Sequence, residues 1–317
     1  MKQFTHAWLA FMAINRLSKT KMNYESRRYA DELIKWFKNH RDGVIQGSWY
    51  PDFVIKDMAN SHVLKLTPSI EADNEFKYLP TNYLNYEYGK KNPLKKESFT
   101  IEKGDNLPDR CESIAHSVID HLKIQKSENK GSPVSPTDNQ VALLLFMLSH
   151  YIADAHVPVH CDSRKFSDGA NIHGCMEGEW ENMILKHYEI DRDNNRFFYD
   201  QDGYPLRDLA FDQEYQQSYL KKADDELNNR KFVISWGRQN NNTWDFMSAI
   251  CQYSYLLSYY FIPKQYNHKN ITSDGWKSLG SLSFEDFSVA VISDAIDSIA
   301  RVWFRVWRRY VKWEKGR

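Results

Sequence analysis

The sequence has 317 residues, with 42 basic and 42 acidic side chains and therefore no formal net charge. This balance argues against a protein that binds polyanions over its whole surface, although it is compatible with a local phosphate site. The four cysteines (Cys111, Cys161, Cys175 and Cys251) include no C-x-x-C pair, so they indicate neither a thiolate zinc site nor a disulfide scaffold.

Helical periodicity dominates the chain. Apolar residues recur with i, i+3, i+4 and i+7 spacing in seven segments: 6–17, 26–39, 109–124, 139–156, 174–188, 244–261 and 284–312. Two polar stretches, about 63–108 and 190–243, lack a hydrophobic pattern of their own, and we interpret them as loop insertions. The sequence therefore predicts a single all-α domain over residues 1–317, a multi-helix bundle with polar loop insertions.

The N-terminal stretch MKQFTHAWLAFMAINRL does not look like a signal peptide, because polar residues are mixed through its apolar ones. The chain also contains no run of roughly 18 apolar residues, the length that a membrane span needs. We expect a cytoplasmic protein if Met1 is the natural start, and a secreted one if a signal peptide has been removed.

The segment HYIADAHVPVH, residues 150–160, places several titratable side chains at the end of the very apolar run QVALLLFMLS. His150 and Asp154 are four residues apart and share one face of a helix, and Pro158 ends that helix so that His160 can fold back. A buried carboxylate without a partner is strongly destabilising. Since imidazole and carboxylate are ligands that zinc accepts when thiolates are absent, the pattern predicts a metal site.

Similar residues occur elsewhere in the chain. His173 and Glu177 repeat the i, i+4 spacing on the next predicted helix, and Glu181, one turn later, competes with Glu177 as a ligand. The N-terminal part of the chain supplies the remaining candidates, which are His6 at the start of the first helix, and Asp52 and His62 in SWYPDFVIKDMANSH.

Together these motifs resemble those of the zinc-dependent phospholipases C, including the alpha-toxin type, and of the single-strand-specific zinc nucleases. HYIADAHVPVH fits the family motif His-x3-Asp-x5-His, with proline two residues before the last histidine. His173 and Glu177 fit the phospholipase motif His-x3-Glu. YPD followed by His62 also resembles the phospholipase pattern, and THAWLAFMA resembles the family's first helix. The resemblance spans residues 1–190 as scattered motifs.

The resemblance implies an α-helical bundle around a cleft that holds up to three zinc ions. Its ligand sets, carried over to this chain, are Asp52, His62, His150 and Asp154 for one ion, His160, His173 and Glu177 for the second, and His6, Asp154 and the amine and carbonyl of residue 1 for the third. Asp154 would then bridge two metals. The family begins with tryptophan and this chain with Met1, so we hypothesise that the free Met1 amine ligates zinc. His156 has a counterpart in the nuclease motif, but we interpret it as a neighbour of the ligands.

The implied activity is phosphodiester hydrolysis of the phospholipase C type, in which a metal-bound hydroxide attacks phosphorus. Asp52 would orient or deprotonate the attacking water, and Asp154 would hold the metals. We expect substrate contacts from Trp49, Tyr50 and Trp180. The alternatives left open are a single-strand nuclease that releases 5′-mononucleotides, an intracellular hydrolase of a small phosphodiester and a non-catalytic zinc-binding protein.

The expected partner is the phosphodiester substrate itself, which could be a phospholipid, a nucleotide or a small diester. We expect no stable complex with nucleic acid. The aromatic and basic residues near the C-terminus, WFRVWRRYVKW, are compatible with a transient contact with a membrane surface, although a packed terminal helix accounts for them more simply. The sequence leaves the oligomeric state open.

Overall fold

The computed structural model describes residues 1–56, 62–66, 106–127, 134–164, 166, 172–233, 242–263, 266, 268–270 and 283–316. Helices make up most of these residues, so the predicted all-α class is confirmed. The α-helices are α1 (Gln3–Lys19), α2 (Tyr24–His40), α3 (Val44–Tyr50), α4 (Leu107–Ser127), α5 (Asp138–Ala155), α6 (Ile172–His187), α7 (Asp212–Gln217), α8 (Tyr219–Asn229), α9 (Thr243–Phe261) and α10 (Phe284–Lys315). Strands β1 (Ile190–Asp191) and β2 (Arg196–Phe197) form a short antiparallel hairpin.

The seven segments with helical periodicity correspond to α1, α2, α4, α5, α6, α9 and α10. Their observed bounds lie within about three residues of the predicted ones, as expected because helix ends are the least certain part of such a prediction. The central helix is α5, which begins with a capping box. The Thr137 hydroxyl accepts a hydrogen bond from Gln140 N, and the Gln140 side chain accepts one from Thr137 N.

Helix α1 packs against the long C-terminal helix α10, and a buried ion pair joins them. Arg16 of α1 donates from Nε to Oδ1 of Asp297 at 3.0 Å, and both side chains are almost fully buried. The same guanidinium donates to the main-chain oxygens of Leu227, in α8, and of Arg230, which directly follows α8. These bonds fix the C-terminal half of α1 between α8 and α10.

Residues 190–233 are not an irregular insertion, which corrects our prediction for this part of the chain. They form the hairpin and helices α7 and α8, and they bury Phe197, Leu220 and Ala223 completely or almost completely in the core. The sequence pattern missed them because both helices are short and the hairpin strands contain two residues each. Residues 67–105, which make up most of the other predicted insertion, lie outside the described residues.

The aromatic C-terminal end of the chain is a packed helix. Trp303 and Trp307 of α10 are 1% and 6% exposed, so they belong to the core and have little surface to offer a membrane. None of the helices in the described part of the chain is long and apolar enough to cross a bilayer.

Candidate metal centre

The site is built around the C-terminal half of α5, where His150 and Asp154 lie on one face and are both buried. Nδ1 of His150 is 2.7 Å from the main-chain oxygen of Ser48 in α3. Such a bond places the imidazole proton on Nδ1 and leaves the Nε2 lone pair pointing into the site. Helix α3 can approach α5 this closely because Gly47 lacks a side chain. A Cβ atom there would lie 2.8 Å from the Phe146 ring.

The first donor group collects side chains from three parts of the chain. Nε2 of His62 lies 3.0 Å from Oδ1 of Asp52, 3.2 Å from Oδ2 of Asp154 and 2.6 Å from Nε2 of His150. Asp52 itself lies in a single π-helical turn, Pro51–Ile55, that continues directly from α3. Single π-helical turns are frequent at functional sites.

The second donor group joins the end of α5 to α6. A 3-10 turn, Pro158–His160, follows α5 and directs His160 back toward the site. Nε2 of His160 lies 2.6 Å from Nε2 of His173 and 3.4 Å from Oε1 of Glu177, and His173 is 2.6 Å from the same Glu177 oxygen. The His173 side chain is 45% exposed and that of Asp52 is 16% exposed, whereas the other predicted side-chain ligands are under 10% exposed, so the cluster faces solvent on the side of these two residues.

The third group lies at the amino terminus. The Met1 amine is 2.7 Å from Oδ1 of Asp154 and 2.6 Å from Oε1 of Glu177. Nε2 of His6 lies 3.0 Å from the Met1 carbonyl oxygen and 3.4 Å from Oδ1 of Asp154. The His6 ring also stacks on the ring of His150, with centroids 3.9 Å apart, so α1 and α5 meet at the site.

Asp154 connects these groups, because its two carboxylate oxygens face different donors. Oδ1 faces the Met1 amine and His6, and Oδ2 faces His62 and His150 at 3.2 Å each. A carboxylate with its oxygens divided in this way has the geometry needed to bridge two cations. The bridging role that the resemblance implied for Asp154 stays a prediction.

Protonated nitrogen groups offset the negative charge of the buried carboxylates in the cluster. Burial alone would lower the pKa of the Met1 amine, but Asp154 and Glu177 raise it to about 11. Burial likewise opposes the charged form of His62, but Asp154 and Asp52 raise its pKa to about 10. Burial acts to raise the pKa of Asp154, but the Met1 ammonium and the neighbouring histidines hold it well below its usual range. A cation that binds here would displace these protons.

The predicted ligands fit a zinc-like cation in donor chemistry and in spacing. Three sets of side chains, which partly overlap the donor groups described above, have ligand atoms that all lie within 4.8 Å of one another. These sets are His6, Asp52 and His150; His62, His150 and Asp154; and His160, His173 and Glu177. Zinc binds such donors at about 2.0–2.2 Å in a tetrahedron, which sets the donors of one ion roughly 3.3 Å apart. Neighbouring donor atoms lie 2.6 to 3.6 Å apart, a range that includes this value.

Two residues near the motifs, Glu181 and His156, have partners outside the three donor groups. Glu181 is occupied by α1, because its carboxylate accepts hydrogen bonds from the main-chain nitrogens of Phe4 and Thr5 and from the Thr5 hydroxyl. His156 turns toward α10, where Nε2 lies 2.9 Å from Ser298 Oγ, and burial lowers its pKa to about 3. The geometry therefore favours Glu177 over Glu181 as the α6 carboxylate of the site.

The aromatic residues predicted to contact substrate fall in three different places. Trp180 is fully buried and donates from Nε1 to Ser288 Oγ, so it has no surface to offer a substrate and the prediction for it is wrong. Tyr50 lines a cavity of about 500 Å³ whose described lining includes none of the predicted ligands. The Trp49 ring lies 6.3 Å from the His6 ring at a partly exposed position, and a substrate contact by Trp49 stays a prediction.

The helical bundle has the fold of solved alpha-toxin structures. The alpha toxin from Clostridium absonum matches with a TM-score of 0.50 and 14% identity, covering 96% of this chain and 64% of that chain. The alpha-toxin of Clostridium perfringens avian strain SWCP matches with a TM-score of 0.50 and 15% identity, covering 99% of this chain and 64% of that chain.

The chain thus spans slightly less than two thirds of the length of either toxin. No protein-family model matches the sequence, and comparison with curated proteins found no match. At 14% and 15% identity the likeness shows a shared fold.

Proposed function

We propose that this protein is a zinc-dependent phosphodiester hydrolase of the phospholipase C type, with up to three zinc ions in the site. The observation that carries the proposal is the position of Asp154, whose two oxygens face two separate sets of nitrogen donors. A structural zinc site is usually closed by four ligands around one ion. A shared carboxylate with donors on both sides, in a cluster that is open to solvent on one side, is instead typical of sites that clamp a phosphoryl group between metals.

Different residues of the site would have different roles in such a reaction. Zinc, when bound, supplies Lewis acidity, which acidifies a water molecule and polarises a phosphoryl oxygen. Asp52 is the most exposed of the predicted carboxylate ligands, so it can orient a water molecule at the open side of the cluster. The Ser48 carbonyl fixes the His150 ring and thereby keeps its nitrogen directed at the site.

A lipid substrate is favoured over a nucleotide by the residues that follow Asp52. Phe53, Val54 and Ile55 are consecutive and are 68%, 57% and 40% exposed. An apolar run of this kind beside a site suits a substrate embedded in an apolar phase, because the side chains leave water when the surface engages. Of these three side chains only Phe53 could stack on a nucleotide base, whereas the aliphatic Val54 and Ile55 suit acyl chains.

The test is a parallel assay of untagged protein loaded with zinc. Product release is followed from phosphatidylcholine vesicles, from single-stranded DNA and from a small soluble phosphodiester, each with and without chelator. Chelator-sensitive release of phosphocholine is the expected result. Release of mononucleotides would replace the proposal by a nuclease, and turnover of only the small diester would replace it by a small-molecule hydrolase. Stoichiometric zinc binding with no turnover of any substrate would show a binding protein.

A further inference from the structure

Helix α1 carries one predicted ligand, His6, and begins shortly after another, Met1, yet its own sequence provides no cap for its first turn. Lys2 occupies the N-cap position with an extended backbone, makes no capping hydrogen bond, and is followed by no acidic residue in the first turn. The first amide groups of a helix have no partner within the helix. Serine, threonine, aspartate or asparagine usually fills this role, so the helix start must be satisfied from elsewhere.

The missing cap comes from Glu181 on α6. Its Oε1 accepts from Phe4 N at 3.1 Å, and its Oε2 accepts from Thr5 N and from Thr5 Oγ1, both at 2.8 Å. Glu181 is only 8% exposed and lies 176 residues from Thr5 along the chain. A carboxylate at a helix N-terminus also meets the positive end of the helix dipole, and hydrogen bonds to an ionised acceptor are the stronger ones.

Two carboxylates one turn apart on α6 therefore hold the amino-terminal segment at two points. Glu177 contacts the Met1 amine at 2.6 Å, and Glu181 holds the amides of Phe4 and Thr5. Met1 and His6 lie on either side of the amides that Glu181 binds. If α1 began one residue later or tilted at its start, both donors would move away from Asp154.

We infer that Glu181 is a positioning residue, which caps α1 from another helix and so sets the Met1–His6 side of the metal centre without contacting metal. This inference rests on the proposed function, since it concerns how that centre is assembled. It predicts that replacing Glu177 and replacing Glu181 affect the metal centre in different ways. Loss of Glu177 removes a ligand, whereas loss of Glu181 leaves every ligand in the chain and displaces two of them.

The experiment measures bound zinc and the zinc affinity of purified Glu181→Gln. Glutamine keeps the length of the side chain but removes the charge and turns one acceptor into a donor that faces amide groups. We expect the protein to lose about one zinc equivalent on dialysis against buffered zinc. The affinity of that site should fall by about 10-fold to 100-fold, the range seen when a residue that orients a ligand is removed. Glu179→Gln, between the two glutamates on the same helix, is the matched control and should keep wild-type zinc.

A rescue variant separates capping from general stability. Lys2→Asn in the Glu181→Gln background supplies a local N-cap for the same amides. We expect zinc binding to recover in the double variant. If Glu181→Gln is less stable to heat but binds zinc with unchanged number and affinity, or if the local cap restores thermal stability without restoring zinc, the inference is wrong.

Thr5→Val provides a second, milder test if Glu181→Gln does not fold. It removes only the hydroxyl donor at a position that is 1% exposed, and it should weaken the same zinc site by a smaller factor. Unchanged zinc affinity in a folded Thr5→Val protein would count against the inference. A wild-type protein that binds no zinc would instead overturn the proposed function.

Discussion

The Met1 amine lies 2.7 Å from Oδ1 of Asp154, a residue 153 positions further along the chain. The amine is buried between two carboxylates, and its second contact is Glu177. The start of the chain is therefore part of the candidate site. A peptide bond at this nitrogen would remove its charge and its lone pair.

Extra residues before Met1 should therefore damage the metal centre. We expect a two-residue extension to lower zinc affinity at one site and phosphodiester turnover by about 10-fold or more. The measurement compares zinc content and activity of this protein with those of a protein that carries the same residues at its C-terminus. Equal zinc and equal activity in the two proteins would show that the Met1 amine is not a ligand.

Asp154→Asn should have a larger effect than loss of any one histidine. Both oxygens of Asp154 face donors, so we expect loss of more than one zinc equivalent and no measurable turnover. Asp120→Asn, at a surface position of α4 with a 65% exposed side chain, is the control and should behave like the wild type. Activity retained by Asp154→Asn would contradict a bridging role.

The exposed apolar run beside Asp52 should matter for lipid in vesicles and not for a soluble diester. We expect the double variant Phe53→Ser, Val54→Ser to lose about 10-fold or more of its activity on phosphatidylcholine vesicles, because each buried apolar side chain contributes about 1.5–3 kcal/mol. Activity on a small soluble phosphodiester should stay within about 2-fold.

Val134→Ser is the control for that experiment. Val134 is 74% exposed and precedes the start of α5, whereas the site lies at the end of that helix. An equal loss on both substrates in the double variant would mean that the residues support the site itself and not a lipid contact.

His187 should make the protein more sensitive to acid. Its ring is 1% exposed and packs against Tyr215 of α7, and burial, with Lys186 nearby, lowers its pKa below the usual value of about 6.5. The unfolded chain then binds a proton more readily than the folded one, so this contribution to stability is present above about pH 6.5 and is lost as the pH falls through the folded pKa.

Thermal unfolding of His187→Leu at pH 7.5 and pH 5.5 tests this expectation. The variant should lose less stability between the two values than the wild type does. The control is His116→Leu, which replaces a histidine whose side chain is 51% exposed. Both variants keep all predicted ligands, so acid release of metal affects them equally. If His187→Leu loses as much stability as His116→Leu, the buried histidine does not contribute to the pH dependence.

The sequence was sufficient for the parts of the site whose geometry is local. His150 and Asp154, and likewise His173 and Glu177, share a helix face because four residues make about one turn. The long amphipathic helices were visible for the same reason. The sequence did not reveal the true start of α1. The periodic pattern begins at residue 6, whereas the helix begins at Gln3 with a cap supplied by Glu181.

Contacts between distant segments explain most of what the sequence could not show. The approach of Gly47 to Phe146 places the Ser48 carbonyl on His150, and no spacing rule connects these residues. Trp180 looked like a substrate contact because it lies among the motifs, but it faces the core on the side of Ser288. The short helices α7 and α8 acquire their stability from packing, which periodicity over a few residues does not reveal.

The packing of α1 against α10 has a consequence for the order of assembly. Helix α1 has α10 as a main partner, so the contacts that bury α1 have very high sequence separation. Such contacts form late, because the entropy of closing a long loop must be overcome before they bring any gain. Contacts of shorter separation, such as that between His160 and His173, can form earlier. We therefore expect the Met1–His6 side of the candidate site to be completed after the side that α5 and α6 provide.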